Sequence, residues 1–423
     1  MSRWATLAHA VPVARRARRT QACANGPRSR SRETCPPGKR VAWPAPVSAP
    51  RRLVTKQLHA FSRRTRDGEL KLIPTPAVNS AAWYVLGVAL ERAPQVELLT
   101  FLVHTNHVHG VAVDGAEASE LAVFNREFNS LTARALNSHY GRRENFWAQP
   151  RTYHNVEIHD APGRQDALEE QLLYVWTNLV KDGLVDDPQE WVDVNGLIIL
   201  PEHFCTEIVV QRPDDAYFGG LRPDDWEPTY PPAREEHRQR RQAAERAQLQ
   251  QEAERDAERG RTPARSRQLA AERARRRRDC PARRERRTLP DFVTIKIGRP
   301  PGYDDLSDVQ LRRYFRELLD AKIVELLAER ERPAMGIQRV LAQDPFSRAQ
   351  PLPPSERAPR LAGPGPTGKK KDLKAALHAF QRGYAEAKEA WCAGDRDVWF
   401  PPGTYWLHVH HGANVLPNPR DGP

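Results

Sequence analysis

The sequence predicts an α+β protein with a ferredoxin-like β-α-β-β-α-β core in its first half, followed by one further helix. The first observation behind this is periodicity: short β-prone stretches near 51–62, 96–104, 107–113 and 151–158 are interrupted by helical patterns near 76–91 and 117–139. The second is that a strongly helical stretch, 163–182, follows the last of those strands directly. The third is composition. Of 423 residues only 39% are hydrophobic, 37 are proline, and the formal charge is +12, which suits one packed domain with long polar attachments better than three cores. The expected division is a disordered basic arm at 1–50 and a core at 51–200. A linker with a charged Arg/Glu-rich segment follows at 201–290, then a small helical accessory region with an irregular tail at 291–423.

The elements follow in order. Residues 51–62 (RRLVTKQLHAFS) alternate loosely and predict a first strand. Pro76 opens a helix, as proline suits a first turn whose N–H needs no partner. Ala81, Ala82, Val85, Leu86 and Ala89 form its inner stripe. The stretch FLVHTNHVHGVAV predicts a hairpin, with Thr105-Asn106 as the tight turn and His107 beginning the third strand. Leu121, Phe124, Phe128, Leu131 and Leu136 recur at helical spacing in the second helix. In the last helix Leu168, Leu172, Leu173, Val175 and Leu179 are the apolar set, and Asp182-Gly183 ends it, glycine being the usual residue just past a helix C-terminus.

Two of these elements carry chemistry. Side chains alternate faces along a strand, so His107, His109, Val111 and Val113 share one face and Val108 and Ala112 the other. Two imidazoles side by side on a rigid strand can hold one metal ion between them. On the helix, Tyr174 and Asn178 are four apart and share a face, with Lys181 one turn on. Brought together, the strand and helix supply two nitrogen ligands, an amide oxygen, a phenol and a nearby cation.

These residues resemble the REP-associated tyrosine transposases, single-tyrosine members of the HUH endonuclease superfamily. That family's histidine motif reads like Pro-Asn-His-Val-His, and this chain has Thr105-Asn106-His107-Val108-His109. Its tyrosine motif reads like Tyr-Ile-x-x-Asn-Pro-Val-x-x-Gly, and Tyr174, Val175, Asn178, Val180 and Gly183 stand at matching places. Phe146-Trp147 followed by Arg151 is similar to the family's Trp…Arg segment. Thr105 and Leu179 replace its usual prolines, which removes no chemical group. The resemblance covers about 51–200. It implies cleavage and rejoining of single-stranded, hairpin-associated DNA through a 5′-phosphotyrosine on Tyr174, with a divalent ion (Mg2+ or Mn2+) held by His107, His109 and Asn178. Arg142, Arg143, Arg151, Lys181 and Trp147 are the candidate DNA contacts, since arginines interleaved with aromatics hold phosphates and stack bases. A replication initiator or relaxase would use the same chemistry. A domesticated, catalytically silent DNA-binding protein is the leading non-enzyme alternative.

The remainder sets the context. A basic balance fits a polyanionic partner. Five scattered cysteines without C-x-x-C spacing fit a reducing cytosol, and a bacterial, nucleoid-associated location is the expectation. The most apolar short run, 81–90, is too short to cross a bilayer. The chain reads equally as the unit of a monomer or of a homodimer, with DNA as its partner and no membrane. Residues 233–289 lack a heptad seam, so any helix there is expected to be solvent-exposed. Leu306, Val309, Tyr314, Leu318, Val324 and Leu327 predict an amphipathic helix within 305–342, with a second short one at 337–341 and another at 372–391. A second His-x-His motif, His408-Val409-His410 with His411 adjoining, has no tyrosine helix after it and is expected to be surface histidines.

Overall fold

A computed structural model describes residues 56–115, 120–148, 154–158, 166–214, 218, 228–258, 289–349, 361–362, 367–404, 407–408 and 411–417. The expected basic arm (1–50), the most arginine-rich part of the charged segment (259–288) and Arg151 lie outside the described residues.

The elements of the first half are β1 (Leu58–Arg64), α1 (Pro76–Glu91), β2 (Glu97–Val103), β3 (His107–Val113), α2 (Leu121–His139), β4 (His154–Ile158) and α3 (Asp166–Lys181). The strands form one sheet in the order β2-β3-β1-β4, each antiparallel to its neighbours, and Leu361–Ala362 adds a short parallel strand beyond β4. Helices and small, mainly antiparallel sheets make up the described chain, and none of those sheets closes into a barrel. No helix among the described residues is long and apolar enough to cross a membrane.

Local chemistry explains the key boundaries. Thr75 caps α1 by accepting from the Val78 N–H, and Pro76 occupies the first turn. The β2–β3 hairpin closes through His104 N–H donating to His107 O at 2.9 Å, leaving Thr105-Asn106 as a two-residue turn. On one sheet face Phe61, Phe101, Phe124 and Phe128 interlock, with α2 supplying the last two. Gly110 sits between Phe61 and Phe101 in register, and a Cβ there would come within 2.5 Å of the Phe61 ring and 3.0 Å of Phe101. Only glycine lets the two rings meet across the central strand. The opposite face, with Thr100 and the two histidines, takes α3. The Trp176 indole N–H reaches Thr100 Oγ1 at 3.0 Å and Ile199 O at 2.9 Å, fixing that helix on the sheet.

The second half departs from expectation in two places. Within the stretch read as linker, Glu207–Gln211 is a strand paired antiparallel with Phe292–Lys296. Val293 and Ile295 from that ribbon are buried in the main core, Val293 against α1 at Gly87. The strand escaped notice because it is five residues long and its partner lies some eighty residues further on. The helix expected within 305–342 runs from Asp308 to Glu329, but its buried stripe is Leu311, Phe315, Leu319 and Ile323. Val309 and Val324, assigned inward by the sequence pattern, are 64% and 68% exposed. The helix is apolar on more than one side, and its packing on α3 and Phe204, with Phe315 5.9 Å from Trp176 and 5.3 Å from Phe204, decides which side is covered. The short helix Ile337–Leu341 lies where the pattern put it, and Thr367–Ala393 extends past both predicted ends. Pro231–Glu258 is a helix exposed or half-exposed along its described positions, as its composition requires. A separate small cluster of Ala387, Trp391, Phe400, Leu407 and Ala413 organises the C-terminal helix and its short strands.

Candidate functional site

The site is built where β3 begins, at the end of a sheet rather than in a loop. The Thr105-Asn106 turn is buried and held from outside: Thr65 N–H donates to Asn106 O at 2.8 Å, and Leu72 N–H to Thr105 O at 2.8 Å. So fixed, Asn106 presents Oδ1 2.6 Å from His107 Nδ1. A proton on His107 Nδ1 satisfies that acceptor and leaves the Nε2 lone pair directed at Asn178. Burial holds the His107 pKa well below the ordinary value, helped by His104, His109 and Arg64, against a weaker Asn178 hydrogen bond. The ring is neutral at neutral pH, the state a metal ligand needs.

Helix α3 brings its polar face to the same point. Asn178 Oδ1 lies 3.2 Å from His107 Nε2. As placed, two acceptors face each other, and either a cation held by both or a turn of the Asn178 amide satisfies them. The Tyr174 ring stands edge-on to His109 with centroids 5.3 Å apart, and His109 is itself edge-on to His107 at 4.6 Å. Tyr174 is 40% exposed, open to a large substrate. Burial and then Asp182 raise its pKa, opposed by Arg64 and an Asn178 hydrogen bond. Lys181 Nζ lies 5.6 Å from the Tyr174 ring centroid.

Two further residues join the site that the sequence reading left out. His104 stacks on His107 with centroids 4.2 Å apart, and its Nε2 is 3.3 Å from Asp182 Oδ2. His104, His107 and Asp182 offer ligand atoms all within 4.8 Å of one another and could hold a metal ion. Burial alone would raise the Asp182 pKa, but the His104 hydrogen bond and its basic neighbours outweigh it and lower the carboxyl. A signal for His104 was present, since a two-residue turn sets residue 104 directly across from 107. Asp182 stands one helical turn past Asn178, at the end of α3.

The candidate DNA contacts fare differently. Trp147 is buried, its indole N–H donating to Asn129 O at 2.8 Å and its ring edge-on to Phe146 at 5.0 Å. The Arg142 guanidinium lies 4.3 Å from the Phe346 ring centroid and 3.6 Å from Glu144. Arg143 is exposed. Of the tail motif, His408 and His411 are exposed, and His408 Nδ1 lies 3.0 Å from Ala413 O, whereas His410 is outside the described residues.

No protein-family profile matches the chain, and no curated protein matches it. Among solved structures, one of a REP-associated tyrosine transposase bound to a REP hairpin is similar at 18% identity and a TM-score of 0.29. The match covers 34% of this chain and 79% of that one.

Proposed function

We propose that this chain is a metal-dependent, single-tyrosine DNA nuclease and strand transferase acting on single-stranded, hairpin-associated DNA. The observation that carries the reading is the convergence of His107, His109, Tyr174 and Asn178 from two elements packed on one sheet face. The strand order β2-β3-β1-β4 supports a ferredoxin-like core beneath them. The neutral His107 ring and the two facing acceptors fit a divalent cation, with His109 beside them. His107, His109 and Asn178 would hold it, His104 and Asp182 being the neighbouring donors. Nitrogen ligands favour Mn2+ over Mg2+. When bound, such an ion polarises the phosphoryl oxygen and offsets developing charge.

The chain's own residues supply the rest. Tyr174 Oη attacks phosphorus, the P–O3′ bond breaks, the upstream strand leaves with a 3′-hydroxyl, and the downstream strand stays on the enzyme through its 5′-phosphate as a phosphotyrosine. The bond energy is kept in that adduct, so rejoining to another 3′-hydroxyl needs no nucleotide. Asn178 orients the phenol, and Lys181 lies close enough to Tyr174 to meet a phosphate. Of the sequence candidates, Arg142 and Arg143 are both exposed and would meet a DNA backbone. A protein acting this way works on the bacterial nucleoid. The test is incubation with labelled single-stranded hairpins and Mn2+. A covalent adduct mapping to Tyr174 is expected, and hairpin binding with no adduct would instead favour a silent DNA-binding protein.

A further inference from the structure

Arg64 ends β1 directly opposite His107, in the antiparallel register that also sets Ser62 against His109. Partners in register share a sheet face, with Cβ atoms about 5 Å apart. Arg64 therefore starts on the face that carries both histidines and receives α3. It is half-buried. Its charge is felt at two separate members of the site, since it helps to lower the pKa of His107 and works against the rise at Tyr174.

What distinguishes it from neighbouring arginines is the lack of an anion. Arg66 and Arg142 both answer to Glu144, and Arg348 to Asp67. Arg63, one residue away and on the other face, donates to Ala148 O at 3.2 Å. Among the described residues no hydrogen bond or ion pair engages the Arg64 guanidinium. A half-buried cation with no ion-pair partner among the described residues thus stands beside a neutral imidazole and a protonated phenol, with Asp182 acting against it at Tyr174. Guanidinium is planar and its paired N–H groups match two oxygens of a phosphate.

We propose that Arg64 is a catalytic residue of this site, binding the non-bridging oxygens of the scissile phosphodiester opposite the Tyr174 nucleophile. The inference rests on the phosphotyrosine reading above. As the Tyr174 Oη–P bond forms and the P–O3′ bond breaks, negative charge grows on the non-bridging oxygens, and Arg64 N–H donors meet it. The phenolic proton leaves to water and the departing 3′-oxygen takes one up, so the step is balanced without a redox partner. Because the charge they meet grows only as the bond forms, their contribution is larger in the transition state than in the bound ground state. Arg64 should therefore govern the rate of adduct formation more than the affinity for DNA.

The test uses the full-length chain and a pool of labelled single-stranded DNA hairpins with randomised flanks, from which wild type selects the hairpins it joins. With a selected hairpin at saturation and Mn2+ present, Arg64→Ala and the stem-preserving Arg64→Met should each slow adduct formation about 100-fold, in the range seen for a lost oxyanion donor. Hairpin affinity should change less than about threefold, and Arg64→Lys should fall between, as a point charge in place of a fork. Arg66→Ala, which also removes one positive charge nearby, should stay near wild type. Rates within threefold of wild type in the Ala and Met variants would overturn the proposal while leaving the Tyr174 reading intact. So would a loss confined to affinity, or an equal loss in Arg66→Ala. A wild-type chain that joins no hairpin in the pool removes both readings together.

Discussion

The chain carries two His-x-His motifs, and they share almost nothing but their letters. His107 and His109 lie on β3, a strand paired on both sides, and both are buried. A held turn sets an acceptor against His107 Nδ1, and a helix brings an amide and a phenol against the pair. His408 is exposed in helical backbone just before a pair of two-residue strands closes, Trp399–Phe400 with Asn414–Val415. Its Nδ1 lies against a backbone carbonyl five residues on, Ala413 O. A ligand pair needs rigid placement and a dry neighbour more than it needs spacing, and the first motif has both.

The sharpest way to break this comparison is to remove each pair. Replacing His107 and His109 by alanine should abolish Mn2+-dependent adduct formation with hairpin binding retained, whereas alanines at His408 and His410 should leave the rate within about twofold, as for most surface changes. Tyr174→Phe should likewise give no adduct while metal and DNA binding persist, since only the nucleophilic oxygen is lost. An adduct in Tyr174→Phe, or loss of activity from the tail variant, would reverse the assignment.

A smaller effect tests whether the turn matters. Asn106→Ala takes away the acceptor that keeps the proton on His107 Nδ1. Metal affinity, followed by Mn2+ titration, should weaken roughly 10- to 100-fold, the usual consequence of losing an outer-shell partner. Unchanged affinity would mean that the ring orients itself.

Stability should separate the two regions as well. The Arg330 guanidinium is largely buried and donates to Val180 O and Val185 O while pairing with Asp186, so it satisfies carbonyls at the end of the tyrosine helix. Arg330→Ala should cost about 2 kcal/mol in urea unfolding, the scale of hydrogen bonds from a charged group, and should slow adduct formation by loosening α3. His408→Ala should cost less than about 0.5 kcal/mol.

The smallest effect is in acid. Lys71 is fully buried and bonds Glu144 at 2.9 Å in the support behind the Asn106 turn. The Lys71 hydrogen bond, against the opposing pull of burial, holds the Glu144 carboxyl below its ordinary value. A depressed carboxyl adds stability above its unfolded pKa of 4.5, and that contribution is lost as pH falls from there through the folded value. Glu144→Gln should be less stable than wild type at pH 7, and the difference should shrink steadily below about pH 4.5. A constant difference down to pH 3 would show that the pair contributes through packing alone.

Much of this was legible in the residues. The α1, β2 and β3 limits follow from a proline at a first turn, a β-prone run and a two-residue turn, and α3 stops just before Gly183, whose φ of +68° is a conformation glycine adopts freely. Those are local signals, and local propensity sets them. Period-two alternation puts His107 and His109 on one face whatever strand lies beside them, and period 3.6 does the same for Tyr174 and Asn178.

What sits beside those faces is a different matter, because strand order and helix docking are fixed by contacts between residues far apart in the chain. Nothing within β1 says that it pairs with β3 in a register that sets Arg64 against His107. Nothing within Glu207–Gln211 says that its partner begins at Phe292. The helix Asp308–Glu329 could bury either of two apolar stripes, and α3 with Phe204 chose Leu311, Phe315, Leu319 and Ile323 over Val309 and Val324. The sequence by itself determined the elements and the faces on which the histidines, the tyrosine and the asparagine stand. The tertiary structure alone decided that these faces meet, and that His104, Asp182 and Arg64 stand with them, because burial is a property of the assembled core and not of any segment within it.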